Sequence, residues 1–457
     1  MIKEIDKPEE PPKIAVKFAN TVFLFGILYS ILLIFYATYK IYNPPEPVSQ
    51  AFYIICIIYG GVIATLFGFG LKRLSNNLKV NLSVLFFTIG ITVYGFETYL
   101  EIFQEEKSQR EIIAKQMDIP YDTRTIMEVV DDLRDSGVDA YPNVGPWQHL
   151  TENDVIYNLG GISNSTTILG NESGYYPVIE TDEHGFNNPK GLYNKNNVDI
   201  VLTGDSFTEG ISVHSNESIS AVLRQLFFNV ISVGKSANGP LIELAALKEY
   251  AEPLKPKIVV WLYYINDFEE LHRELQSSIL RKYLNEDDFS QNLISRQDEI
   301  DGVLKNYVQI EEERLANQSV IRISKLYNLR NRINLTPTPT PKHTSISTPI
   351  FRDILKKSKQ MVSDWGGKIY FVYLPGFERY SIGNEDLFRD FVMQTVTDLN
   401  IPIIDIHQVV FDPHPDPLSL FPFRMYGHYN AEGYRLVAEA IGKRLEADGY
   451  VPIESRE

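Results

Sequence analysis

The strongest constraint on this chain lies in its first hundred residues, where three stretches carry no charge. The run 18–39 covers 22 residues between Lys17 and Lys40. The run 47–71 covers 25 and ends at Lys72-Arg73. The run 80–96 covers 17 between Lys79 and Glu97. About 20 apolar residues take a helix across a bilayer, where every backbone polar group must be satisfied inside the segment. The first two runs meet that length. The third sits at the short end, where a buried or interfacial helix competes with a span. The first run is too long for a leader and has no small-x-small exit, so it is expected to stay as an anchor.

Basic residues orient such helices. The N-terminal tail holds Lys3, Lys7, Lys13 and Lys17, and the loop before the third run holds Lys72, Arg73 and Lys79. The loop after the first run has only Lys40. With three spans, the two basic segments share the cytoplasmic side, and everything after Phe96 lies outside. With two spans the large domain would be cytoplasmic. The expected organisation is a cytoplasmic tail 1–17, three transmembrane helices 18–96, a membrane-proximal mixed region 97–195 and an α/β domain 196–450. The protein is then multi-pass in the cytoplasmic (inner) membrane, with its main domain on the periplasmic or extracellular side.

The net charge of −16 over 457 residues excludes nucleic acid as a partner, because no basic patch offsets it. The single cysteine, Cys56, sits in an apolar run. It allows no intramolecular disulfide and no cysteine metal site, and it leaves the compartment open.

Residues 97–195 show a polar helix from Glu97 to Met117 and a short amphipathic helix from Thr125 to Ser136, stopped by Gly137. Turn-rich stretches such as Asn164-Ser165 and Gly170-Asn171 follow, with no visible chemistry. From Val198 the pattern becomes regular. Short apolar, β-branched runs occur at 198–202, 230–233, 258–263, 369–374 and 403–406, separated by helical stretches. Continuous apolar strands alternating with helices predict an α/β fold of three α/β/α layers, with a five-stranded parallel, flavodoxin-like sheet. A polar helical insertion, 284–348, interrupts it and ends in the stiff Thr336-Pro337-Thr338-Pro339-Thr340-Pro341. That insertion reads equally as a lid, a partner surface or a solvated spacer.

In open parallel sheets, ligands bind beyond the carboxyl ends of the strands. Ser206 follows the first run in Gly204-Asp205-Ser206-Phe207, and Gly234-Lys235-Ser236-Ala237-Asn238-Gly239 follows the second. Asn266-Asp267 follows the third, and His428 follows the fifth in Gly427-His428-Tyr429-Asn430. These are the parts that acyl transfer needs. A serine hydroxyl becomes a nucleophile when a base takes its proton, and His428 is the candidate base. The oxyanion needs fixed donors, for which the candidates are the N–H of Ser206, an N–H in the 234–239 turn and the Asn266 amide. Taken singly, Gly-Asp-Ser is a turn, Asn266-Asp267 and Asn430 are helix caps, and His428 is a surface histidine. Asp412-Pro413-His414-Pro415-Asp416 has metal-ligand residue types but reads as a rigid loop, and His184, His214 and His272 have no partner signature. No metal and no cofactor is expected.

The four blocks together resemble the SGNH (GDSL-type) hydrolase family over roughly 198–445, without the insertion. His428-Tyr429-Asn430-Ala431-Glu432-Gly433-Tyr434 is similar to the last block of membrane-associated bacterial members. The resemblance implies Ser206 as nucleophile, His428 as base, and an oxyanion hole of Ser206, the turn and Asn266. The family's oxyanion glycine falls by spacing on Ala237, with Gly239 as the alternative. The third block has Tyr264 where the family has a small residue. The family's aspartate two or three residues before the histidine is replaced by Tyr426 and Met425, so His428 acts as a dyad or takes its acid from Asp416 or Asp412. The implied function is removal of O-acetyl or other O-acyl groups from an envelope glycan. The alternatives are acyl transfer to such a glycan, with a partner membrane protein, and a catalytically inactive binding or assembly protein of the same fold.

Overall fold

The computed structural model describes residues 10–43, 50–103, 108–146, 156–193, 198–227, 229–333, 335, 347–383 and 388–450. It begins with three long helices, α1 (Lys13–Tyr42), α2 (Gln50–Arg73) and α3 (Asn76–Phe103), each long and apolar enough to cross a membrane. The third exceeds its 17-residue uncharged run because polar residues at both ends join the helix. Its 28 residues reach about 42 Å at 1.5 Å per residue, more than the hydrocarbon thickness. Large apolar side chains point outward along all three, including Phe25, Ile58 and Phe87.

Next come α4 (Gln109–Gln116) and α5 (Ile126–Asp135). Thr125 and Glu128 close a capping box at the start of α5. A small sheet follows, with β1 (Ala140–Pro142) parallel to β2 (Thr166–Ile168) and β3 (Val178–Glu180) antiparallel to β2.

The α/β part runs β4 (Ile200–Thr203), α6 (Ser206–Glu209), α7 (Ile219–Leu226), β5 (Val230–Ser232), α8 (Pro240–Ala246), β6 (Ile258–Tyr263), α9 (Asp267–Glu274) and α10 (Ser278–Asn285). Then come α11 (Gln297–Ala316), α12 (Gln318–Ser324), α13 (Tyr327–Arg332), α14 (Ser347–Asp364), β7 (Lys368–Tyr373), α15 (Glu378–Ser381), α16 (Arg389–Asp398), β8 (Ile403–Asp405) and α17 (Ala431–Ala447). The five strands are all parallel in the order β5-β4-β6-β7-β8. This is the flavodoxin-like order, with first and second strands exchanged.

Period-two alternation buries both faces. Val201, Val259, Trp261, Phe371 and Tyr373 enter one core with side chains of α8, α9 and α14. Ile200, Leu202, Val260, Leu262 and Val372 enter the other with α7 and α17. The result is three layers.

The chain divides into two compact units, Met1–Glu106 with Arg314–His343, and Lys107–Glu313 with Thr344–Glu457. The helical segment between β6 and β7 is thus shared between them. Ile300, Leu304 and Val308 of α11 are buried in the α/β core, whereas α12 and α13 pack on α3.

Candidate active site

The site starts at the carboxyl end of β4. Gly204 turns the chain there with φ +155°, and a Cβ on it would stand 2.1 Å from Thr208 Oγ1 and 2.8 Å from Leu262 O. Only glycine fits this approach. Asp205 then caps α6, its carboxylate accepting from Phe207 N–H at 2.9 Å. Ser206 is the first residue of the helix, so its N–H has no intrahelical acceptor.

His428 arrives from the loop before α17. Its neighbours hold it by both ends. The Tyr429 hydroxyl donates to Pro375 O at 2.7 Å, and Asn430 caps α17 by accepting from Gly433 N–H at 3.0 Å. The Phe207 ring lies 4.6 Å from the imidazole, centroid to centroid. His428 Nε2 is 2.7 Å from Ser206 Oγ.

The acid beside His428 is Glu172. Its Oε2 lies 3.0 Å from His428 Nδ1 and accepts the His428 backbone N–H at 2.8 Å and the Ser212 hydroxyl at 2.9 Å. Arg110 Nη2, from α4, stands 3.6 Å from its Oε1 and donates to Tyr426 O at 2.5 Å. Gly427 makes room for this: a Cβ there would meet Arg110 Nη2 at 2.4 Å and Glu172 Oε2 at 2.6 Å, at φ +149°. Burial alone would push the Glu172 carboxyl up, but the His428 ring, its hydrogen bonds and the Arg110 guanidinium outweigh that and hold it at about 2. Burial lowers the imidazole, yet Glu172 outweighs burial and leaves His428 above its usual 6.5. A carboxylate can only accept, so Nδ1 carries the proton and Nε2 presents its lone pair to Ser206.

This corrects the expected acids. Asp416 is partly buried and paired with Arg424 at 2.5 and 2.9 Å. Asp412 ends the turn after β8, donating its N–H to His407 O at 2.8 Å. Neither is bonded to His428. Glu172 lies in the region read as devoid of chemistry, 256 residues before its partner. An Asx turn positions it: Asn171 Oδ1 accepts from Gly174 N–H at 2.9 Å, and Asn171 Nδ2 donates to Asp122 O at 2.9 Å. The turn residues were visible in the sequence; nothing local distinguished the acid within them.

The oxyanion candidates separate. Gly239 N–H is committed to Glu274 Oε1 at 2.6 Å, so that alternative falls away. Ala237 adopts the left-handed conformation, φ +67°, that suits a glycine, and its N–H has no acceptor among the described residues. Such a φ costs an alanine roughly 1–2 kcal/mol. Asn266 occupies the N-cap position of α9, but its side chain makes no cap hydrogen bond. Its Oδ1 is buried without a partner among the described residues. Ser206, Ala237 and Asn266 thus follow β4, β5 and β6, three neighbouring strands. Tyr264, where a small residue was expected, is buried with its ring 4.4 Å from that of Phe207, filling the space between β6 and α6.

A fully buried ion pair locks this turn to α6. Lys235 Nζ lies 2.5 Å from Glu209 Oε1, both side chains 1% exposed. Glu209 Oε2 accepts from Ser236 N–H at 2.8 Å and from Asn143 Nδ2 at 3.1 Å, and Lys235 also donates to Asn143 Oδ1. Burial would raise the Glu209 carboxyl, but Lys235 and the hydrogen bonds keep it below the ordinary value. Nearby, Glu243 and Asp267 are fully buried, with both carboxylate oxygens of each unpartnered among the described residues. Burial pushes both well above the usual range, helped by neighbouring carboxylates.

The loop Asp412–Asp416 closes on itself, with His414 Nδ1 accepting from Asp416 N–H at 3.1 Å. No group of three potential metal ligands occurs among the described residues.

No protein-family model and no curated protein matches the chain. Among solved structures it is similar to the lipase/acylhydrolase from Enterococcus faecalis (14% identity, covering 55% of this chain and 96% of that one, TM-score 0.32). It is also similar to a member of the lipolytic protein G-D-S-L family from Veillonella parvula (13%, 54% and 96%, 0.32) and to the acetyl xylan esterase AlAXEase (11%, 54% and 100%, 0.32). At these identities and scores, the functional reading rests on the site geometry.

Proposed function

We propose that this chain is a membrane-anchored serine ester hydrolase in which Ser206 is the nucleophile, His428 the general base and acid, and Glu172 the residue that orients the imidazole. The observation that carries this is the alignment of Ser206 Oγ, His428 Nε2, His428 Nδ1 and Glu172 Oε2 through contacts of 2.7 and 3.0 Å. Ser206 Oγ attacks the acyl carbonyl while its proton passes to Nε2. The oxyanion is held by the N–H groups of Ser206 and Ala237 and by the Asn266 amide. Collapse expels the alcohol, which takes the proton from Nε2. Water then attacks the acyl-serine with His428 again as base, releasing the acid and restoring Ser206. Glu172 stabilises the imidazolium in both halves.

The acyl groups are proposed to be O-acetyl or similar small esters on an envelope glycan. The support is the basic tail and second loop, which favour a cytoplasmic side opposite the α/β unit. A carboxylate on His428 favours catalysis over an inactive binding protein, whose main ground was a histidine without one.

The test is fluorophosphonate labelling and aryl-acetate turnover by the full chain in detergent, with Ser206→Ala beside it. Labelling and turnover by the wild type alone support the reading; a wild type that does neither overturns it. Transfer of acetyl to added glycan in preference to water would reassign it as an acyltransferase. Proteolysis of the α/β unit in intact cells tests the outward placement.

A further inference from the structure

The segment α12–α13 differs in character from the rest of the chain. Residues 314–335 hold five basic side chains, Arg314, Arg322, Lys325, Arg330 and Arg332, and no acidic one, in a protein of net charge −16. Large apolar side chains are exposed between them: Val320 at 69%, Ile333 at 57% and Leu335 at 57%.

Its place in the fold is fixed by the end of α3. Glu97, fully buried, accepts the first-turn N–H groups of α13 from Asn328 and Leu329, each at 2.8 Å. Glu101 accepts from Asn328 Nδ2 at 2.7 Å and pairs with Arg322 at 3.2 Å. The uncharged run of α3 stops at Phe96, so both contacts lie where that helix leaves the apolar layer. Exposed aromatic rings cluster at the same level, at Tyr94, Phe96, Tyr99 and Phe103. Aromatic rings of this kind mark the bilayer–water interface.

We propose that α12 and α13 lie in the outer interface of the bilayer, with Val320, Ile333 and Leu335 among the acyl chain ends and Lys325 and Arg330 on anionic headgroups. The surface is continuous with the lipid-facing side of α3, and its charge is complementary to such headgroups. The inference rests on α3 being a span, and not on the esterase reading.

The test uses the full chain in a Cys56→Ser background, which leaves no native cysteine. Single cysteines replace Val320, Ile333, Phe87 in mid-α3 and exposed Ile382, and each carries a nitroxide in liposomes with or without phosphatidylglycerol. Relative accessibility to oxygen and to a nickel chelate reports depth. Expected is a deep Phe87 site, a water-like Ile382 site, and Val320 and Ile333 sites several-fold more oxygen-favoured than Ile382. Phosphatidylglycerol should enhance that preference, and Lys325→Glu with Arg330→Glu should reduce it. Water-like Val320 and Ile333 sites with Phe87 deep would overturn the proposal while leaving α3 a span. Immobile labels shielded from both reagents would also overturn it, in favour of a protein contact. A water-like Phe87 site would remove the span and the proposal together. None of these readouts depends on turnover.

Discussion

Glu172 grips His428 through a single oxygen, Oε2, which takes both the backbone N–H at 2.8 Å and the ring Nδ1 at 3.0 Å. The acid therefore fixes the position of the histidine as well as its tautomer.

Glu172→Gln is expected to lower kcat by about 10⁴, as when the orienting carboxylate of a serine–histidine–acid triad becomes an amide. Asp416→Asn and Asp412→Asn should leave it close to wild type, because neither carboxylate is bonded to His428. Aryl-acetate kinetics of the three variants decide between them.

The base must be neutral to take the serine proton. With His428 raised, activity should be full at high pH and should fall as pH drops through a value above 6.5. Glu172→Gln removes the charge that raises it and should move this acid limb to lower pH. A kcat/KM profile with no shift between the two proteins would contradict the assignment.

Arg110 acts in the opposite sense, since its positive charge opposes protonation of His428. Arg110→Met should move the acid limb upward. It also removes the donor to Tyr426 O, so kcat should fall by roughly tenfold from misplacement of the loop.

Breaking the buried Glu209–Lys235 pair on one side leaves an uncompensated charge, which costs about 3–5 kcal/mol. Glu209→Gln or Lys235→Met alone should lower the melting temperature strongly in detergent and slow turnover by freeing the Ala237 turn. The double variant should recover much of the stability and less of the turnover. Equal losses in the double and single variants would show that the pair is not coupled.

Glu243 and Asp267 have folded-state values raised above their unfolded ones. Their penalty is absent below the unfolded values near 4 and grows as pH rises, because only the unfolded chain then ionises freely. Glu243→Gln with Asp267→Asn should raise the melting temperature by several degrees at pH 8 and change it less at pH 5.

The sheet was legible because its strands are short apolar runs that alternate with helices and end in polar residues. Ser206 and Asn266 were legible because they stand just past such runs, and His428 because it stands in the loop between the last strand and α17. Glu172 was not, since an acid in an Asx turn looks like any surface carboxylate until the fold brings it to His428. The competition of Gly239 with Ala237 was equally hidden. It is decided by Glu274, a carboxylate on α9 that reaches the Gly239 N–H across the fold. The insertion read as one excursion is in fact divided, because Glu97 and Glu101 on α3 claim its second half.

The wide separation of Glu172 from His428 has a consequence for how the site comes into being. A nascent chain that has released Glu172, Ser206 and Asn266 still holds no base, because the loop carrying His428 follows the last strand. Until that loop docks, with Gly427 against Arg110 and Glu172, Ser206 has no imidazole beside it. On the proposed mechanism, the site is therefore complete only once the last loop of the domain has been made.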